Sequence, residues 1–295
     1  MKKTKNIKNI KNIWKIISFP FIYLGVQLVV SLVYIIAAMM PSLFRMIFEN
    51  AIAGGGVISE DSIYDIILSN MNLMTPVIIS VVITFLIIFI IQRKEWKAEK
   101  FWGFSGFNNI PPLLLCLLLG AALNILTVCI LTFLQVNNQP SVLDDMVGKN
   151  FILDFMAIAV IVPVLEEIIF RGIAHKYLDR LISRHLAVFI QALMFGLIHM
   201  NITQGIYAFF LGVIIGYIYL WFDSIYFAIA IHLAYNGTNI LLFYIFGESD
   251  VDLLYFLIIS VIVFVFSMAG LTVSANKRKK NPVYYNNYNN NRWQF

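Results

Sequence analysis

Six polar side chains interrupt otherwise apolar runs of this sequence. Glu166 and Glu167 are adjacent in Val162-Pro163-Val164-Leu165-Glu166-Glu167-Ile168-Ile169-Phe170-Arg171. His199 closes Phe195-Gly196-Leu197-Ile198-His199, and His232-Leu233-Ala234-Tyr235-Asn236 supplies the last two. An ionisable group near a bilayer centre costs at least ~2.5–3.5 kcal/mol on insertion scales, so several in one chain point to function. Glu167 and Arg171 stand four apart on one helical face, the spacing of an ion pair. Glu166 points about 100° around the helix from Glu167, so one carboxylate can be neutralised while the other faces a cavity. His232 and Asn236 are also four apart and share a face. A carboxylate with a neutral imidazole can activate water, either by taking its proton or by holding a metal ion that acidifies it. A second imidazole and an amide can donate hydrogen bonds to an oxyanion. Together these groups make a peptide hydrolase. A single membrane histidine is often only a hydrogen bonder between helices, and buried Glu and His also build proton or ion pathways. It is the set as a whole that favours chemistry.

The elements that must carry these residues follow from composition. Sixty per cent of the 295 residues are hydrophobic and 13% charged, and the mean hydropathy is +0.83. Lipid is the natural solvent for such a chain. Windows of about 20 residues predict an all-α polytopic membrane helix bundle with about eight transmembrane helices. They run Trp14–Met40, Thr75–Gln92, Ile110–Gln135, Phe151–Lys176, Leu186–Met200, Gln204–Phe222, Ile225–Phe246 and Leu253–Val273. The first has too long an apolar core for a cleaved signal peptide and is read as a retained anchor. Residues 1–13 then form a basic cytoplasmic segment, 14–135 the N-terminal membrane helices, and 151–246 a core holding every candidate residue. Residues 253–273 form the last helix, and 274–295 a basic, Asn/Tyr-rich tail too polar to build a core.

Charge between the spans sets an N-in, C-in orientation. Basic clusters are Lys2, Lys3, Lys5 and Lys8; Arg93, Lys94, Lys97 and Lys100; Lys176, Arg180 and Arg184; and Lys277 to Lys280. They alternate with acidic ones: Glu49, Glu60, Asp61 and Asp65, offset only by Arg45; Asp144 and Asp145; Glu248, Asp250 and Asp252. The formal net charge of +5 is thus a topology signal facing anionic lipid, and without a basic domain nucleic acid is excluded as a partner. Counted from the cytoplasmic ends at 1.5 Å per residue, Glu166 lies roughly 15 Å deep, His199 about 20 Å, His232 about 10 Å and Asn236 about 17 Å. Residues from three spans thus occupy one layer, on the cytoplasmic side of the midplane.

The other features are structural. Cys116 and Cys129 fall thirteen residues apart in one span, roughly 20 Å along a helix, too far to bridge. Gly212 and Gly216 read as a close helix contact. His175 and His185 are placed in a solvated basic loop. The Ala53–Gly56 run reads as a flexible outer loop. Gly103-Phe104-Ser105-Gly106 matches the GxSG string of serine-type membrane proteases but lies in a polar juxtamembrane loop, and no HExxH motif occurs.

Glu166-Glu167-x-x-x-Arg171, Phe195-x-x-x-His199 and His232-x-x-x-Asn236, in that order on the fourth, fifth and seventh spans, resemble the three motifs of the CPBP family of CAAX proteases and bacteriocin-processing proteins, also called Abi. The resemblance covers Phe151 to about Phe246. It implies an intramembrane endopeptidase in which Glu166 activates water with His199, while His232 and Asn236 stabilise the oxyanion and Glu167, Arg171 and Phe195 support them. Family members are described both as metalloproteases and as metal-independent glutamate enzymes. A divalent metal such as zinc, held by Glu166, His199 and His232, therefore remains open beside direct base catalysis. The implied partners are a peptide or membrane-protein substrate and the bilayer itself. The residue composition suggests a bacterial plasma membrane, where a literally prenylated substrate is unexpected. Two further readings stand beside proteolysis: a binding-only bacteriocin self-immunity protein and an ion-coupled transporter, the latter lacking an inverted repeat or paired broken helices.

Overall fold

A computed structural model describes residues 2–52, 72–96, 110–136, 150–247 and 252–279, with side chains from Asn12 onward except at residues 42 and 94–96. Among these residues the fold is all-helical, with eight helical rods. Three precede the candidate region: α1 (Lys2–Ile52), α2 (Met74–Trp96) and α3 (Ile110–Phe133). The fourth rod, residues 150–179, is broken into five pieces: α4 (Phe151–Asp154), π1 (Phe155–Ile161), α5 (Val162–Glu167), π2 (Ile168–His175) and α6 (Lys176–Asp179). Then come α7 (Arg184–Leu197), α8 (Ile202–Phe222), α9 (Ile225–Phe246) and α10 (Leu253–Lys279).

Six of the rods are long and apolar enough to cross a membrane: α1, α2, α3, α8, α9 and α10. The protein is multi-pass. Hydropathy places these elements well, because twenty consecutive apolar residues have few alternatives to a spanning helix. Two expectations are refined. The first helix continues past Met40 to Ile52 with Pro20 and Pro41 inside it, so Arg45 and Glu49, assigned to a loop, form an exposed ion pair at 2.8 Å on that helix. The fifth rod, expected over Leu186–Met200, is the 14-residue α7, too short to count among the six. The flexible-loop glycines, the GxSG string, Asp144 and Asp145, and the Asn/Tyr tail lie outside the described residues.

Helix α3 packs against α9 and α10, α7 against α8, and α1 against α2, while the broken rod lies against α9. One apolar core surrounds the broken rod with Phe19 and Tyr23 of α1, Ile88 of α2, Ile169 and Phe170 of π2, and Phe195 of α7. A second joins Leu119 of α3, Ile215 of α8, Phe227 and Ile231 of α9, and Leu271 of α10. The outward faces of α1 and α10 keep Trp14, Phe44 and Phe266 exposed, as lipid contact requires. Cys116 and Cys129 are buried, unbridged thiols.

Candidate active site

The broken rod positions the two carboxylates. Val162 donates its N–H to the Ala157 carbonyl, five residues back, which is the π register. Pro163, next in the chain, has no N–H to continue that ladder. The short α5 starts there and carries Glu166 and Glu167 at its end, both buried. A second π segment follows at once and brings Arg171 back onto Glu167. Segments of π-helix within α-helices concentrate at functional sites, and here two, of seven and eight residues, bracket the carboxylates. A break near Pro163 was legible from the proline; its π register was not.

Glu167 is the hub. Its Oε1 accepts from Arg171 Nη1 and from His232 Nδ1, each at 2.8 Å. Arg171 and Glu167 are both fully buried, and the guanidinium also donates to the Gly212 carbonyl at 3.2 Å and lies over the Phe195 ring. The i,i+4 pairing expected from sequence is present; the bond from Glu167 to His232, 65 residues on, had no sequence signal. An ionised carboxylate can only accept, so His232 carries its hydrogen on Nδ1 and turns Nε2 the other way. Nε2 then lies 3.6 Å from Glu166 Oε2. That gap is too long for a hydrogen bond but short enough for the two groups to interact electrostatically.

His199 is held by the end of α7. Its amide donates to the Gly196 carbonyl and that of Met200 to Leu197, a tightened last turn. Met200 then takes a left-handed conformation, φ 53°, and the Asn201 side chain caps α8 by accepting from the Gln204 amide at 2.9 Å. Helices α7 and α8 nearly touch beside this turn: a Cβ on Gly196 would meet the Gly205 carbonyl oxygen at 2.5 Å. His199 Nδ1 lies 2.8 Å from the Phe195 carbonyl, which fixes hydrogen on Nδ1 and leaves Nε2 a bare acceptor. The ring is half-buried and close enough to Glu166 to act on it electrostatically, as His232 does. Phe195 is fully buried, with the rings of Phe170, His199 and His232 set edge-on to it at centroid distances of 5.1 to 5.5 Å. It is the apolar wall of the site.

Glu166, Glu167, Arg171, Phe195, His199 and His232 are therefore brought together. Asn236 is one turn along α9 from His232, and its Nδ2 donates to the Ile158 carbonyl in π1 at 2.9 Å, so one amide hydrogen is already committed. Gly212 and Gly216 do form a close helix contact, against Ala192 and Phe195 and against Gln191 and Val188 of α7. On the opposite side of α9, a Cβ on Gly120 of α3 would meet the Ile231 carbonyl next to His232.

His175 is a correction. His185 is exposed, as expected, but it lies in the first turn of α7, and His175 is not in a loop either. The π2 register extends the rod past it, and His175 is buried edge-on to Tyr219 with neither ring nitrogen hydrogen-bonded. Two side chains outside the sequence-derived set also belong to the neighbourhood. Tyr23 of α1 is buried and interacts electrostatically with Glu166, and Asp154 is buried and accepts from Tyr244 Oη at 2.7 Å. Neither lies in a motif.

Among the described residues, no three His, Cys, Asp or Glu side chains are placed to share one metal ion. Residues 148–238 match the family described as Type II CAAX prenyl endopeptidase Rce1-like; the match covers the broken rod, α7, α8 and the first part of α9, and contains all four candidate catalytic residues. No curated protein and no solved structure matches the chain.

Proposed function

We propose that the protein is an intramembrane endopeptidase in which Glu166 activates the hydrolytic water, a reading supported by the similarity of residues 148–238, which hold the carboxylate pair, to the Rce1-like type II CAAX prenyl endopeptidase family. The observation that carries this reading is the unequal fate of two adjacent carboxylates. Glu167 is consumed by Arg171 and His232, whereas Glu166 faces His232 Nε2 across a 3.6 Å gap. A base needs a carboxylate oxygen free to take a proton; Glu166 has no short hydrogen-bond partner, whereas Glu167 Oε1 is held by two donors.

In the proposed reaction, water between Glu166 and His199 attacks the scissile carbonyl carbon as its proton passes to Glu166. His199 Nε2 accepts the second water hydrogen and orients the lone pair. Charge develops on the carbonyl oxygen, to which His232 Nε2 and the remaining amide hydrogen of Asn236 can donate. His232 donates from Nε2 only as the imidazolium, a cation flanked by Glu166 and Glu167. Glu166 then returns its proton to the departing amine nitrogen as the carbon–nitrogen bond breaks. No step requires an ion. The substrate is a peptide or membrane-protein segment reaching a site in the cytoplasmic half of a bacterial plasma membrane, with both termini of the chain inside.

The test compares membrane and secreted peptides from cells carrying the wild type and Glu166→Gln. Gln keeps the shape and removes the base. A defined product that vanishes in the variant at equal protein level supports the reading and identifies the substrate. Matching peptide profiles, with bacteriocin resistance retained, would overturn it in favour of a binding-only immunity protein.

A further inference from the structure

We propose that Asn236 is a positioning residue that replaces the backbone hydrogen bond Pro163 deletes, and thereby fixes where the broken rod presents Glu166. The register gives the reason. Val162 N–H bonds to Ala157 O, five residues back, so the next nitrogen in that ladder faces the Ile158 carbonyl. That nitrogen belongs to Pro163 and has no hydrogen to give. The carbonyl it leaves open is the one that Asn236 Nδ2 reaches at 2.9 Å. In a hydrocarbon environment a broken helix persists only where neighbouring helices re-satisfy the freed backbone groups.

The consequence for Glu166 lies in the spacing of two tethers. Helix α9 holds the rod at Ile158 through Asn236 and at Glu167 through His232, one helical turn apart on α9. Pro163 and Glu166 lie between the two attachment points. The two helices pack in ordinary side-chain contact there: a Cβ on Gly237 would lie 3.5 Å from Phe155 Cε2 and 3.7 Å from Ala159 Cβ. Slippage of π1 along α9 would move α5 and carry Glu166 away from His232. The catalytic consequence rests on the peptidase reading; the replacement of the missing backbone bond does not.

A double-substitution cycle tests both parts. In Pro163→Ala the nitrogen at this position regains a hydrogen for Ile158 O, and Asn236 becomes dispensable for that bond. Asn236→Ala alone is expected to lower kcat by at least about a thousandfold with KM little changed, because an oxyanion donor (~10²–10³-fold) and the placement of Glu166 are lost together. Placed in the Pro163→Ala background, the same substitution should cost at least about tenfold less, the oxyanion contribution alone. If Asn236 acted only as an oxyanion donor, its loss would cost the same ~10²–10³-fold in either background, and that outcome overturns the proposal. Thermal unfolding of the same four proteins reads the bond without reference to catalysis. Asn236→Ala should lower Tm by roughly 2–4 °C when Pro163 is present and by distinctly less in the Pro163→Ala background, whereas equal shifts overturn it. Coupling in Tm with no cleavage by any of the four leaves the bond standing and removes the peptidase reading instead. Asn236→Leu fills the same space without a donor and serves if the alanine variant does not accumulate.

Discussion

Glu166 and Glu167 are the same residue type, one position apart and equally hidden, yet they should respond in opposite ways to the same change. Glu167→Gln strips the charge that compensates a fully buried Arg171. Breaking such a pair by removing one partner costs about 3–5 kcal/mol, because the remaining charge is stranded. The expected result is a markedly lower Tm in detergent, or a failure to accumulate. Glu166→Gln removes a carboxylate that has no short partner, so Tm should hold or rise while cleavage falls by at least about 10²-fold. Equal destabilisation by both would mean that Glu166 is as structurally committed as Glu167. His175 supplies a second contrast. Its two ring nitrogens are buried without hydrogen bonds, an arrangement that costs free energy. His175→Phe is therefore expected to leave Tm unchanged or raise it, and a drop of several degrees would show that the imidazole has a partner in solution.

At the scale of elements, one helix contact sets where His199 sits. The Gly196–Gly205 crossing lets α7 end where it does, with His199 at its tip. Gly196→Ala puts a methyl group 2.5 Å from a backbone oxygen, which no rotamer change can relieve, so α8 must move. The expected outcome is at least a roughly tenfold loss of cleavage with the carboxylate pair intact; full activity would show that the crossing has slack. What was legible in the sequence follows from how far each signal reaches. The spanning helices and the Glu167–Arg171 and His232/Asn236 faces depend on spacings within a turn or a span, and these were readable. The two π segments depend on which carbonyl each amide chooses, i−4 or i−5, and side-chain pattern barely records that. His175 was misplaced because its neighbours Lys176 and Arg180 give a basic, loop-like local signal, while its burial comes from Tyr219, far along the chain on α8. The His232–Glu167 bond and the proximity of Tyr23 are likewise long-range facts of packing.

For the whole molecule, two properties remain open to direct measurement. The alternation of basic and acidic segments expects both termini inside; tags at either end should resist protease added to intact cells and be cut after permeabilisation. The proposed reaction uses the chain's own groups, so prolonged chelation should leave cleavage unchanged. Loss of activity restored by zinc would instead place an ion among Glu166, His199 and His232. One feature of the architecture reaches beyond the protein into its solvent. Helix α7 has 14 residues, about 21 Å of rise against a hydrocarbon core of about 30 Å. If α7 starts level with the cytoplasmic ends of its neighbours, the chain reverses at His199–Asn201 short of the opposite interface, where Met200 and Ile202 are exposed at the turn. A bilayer meeting that side of the molecule is matched only if it thins there. Membrane thickness then becomes a control variable: in vesicles of graded acyl-chain length the enzyme should work best in the thinner bilayers and lose activity as the lipid tails lengthen, because thick lipid would press on the turn that carries His199.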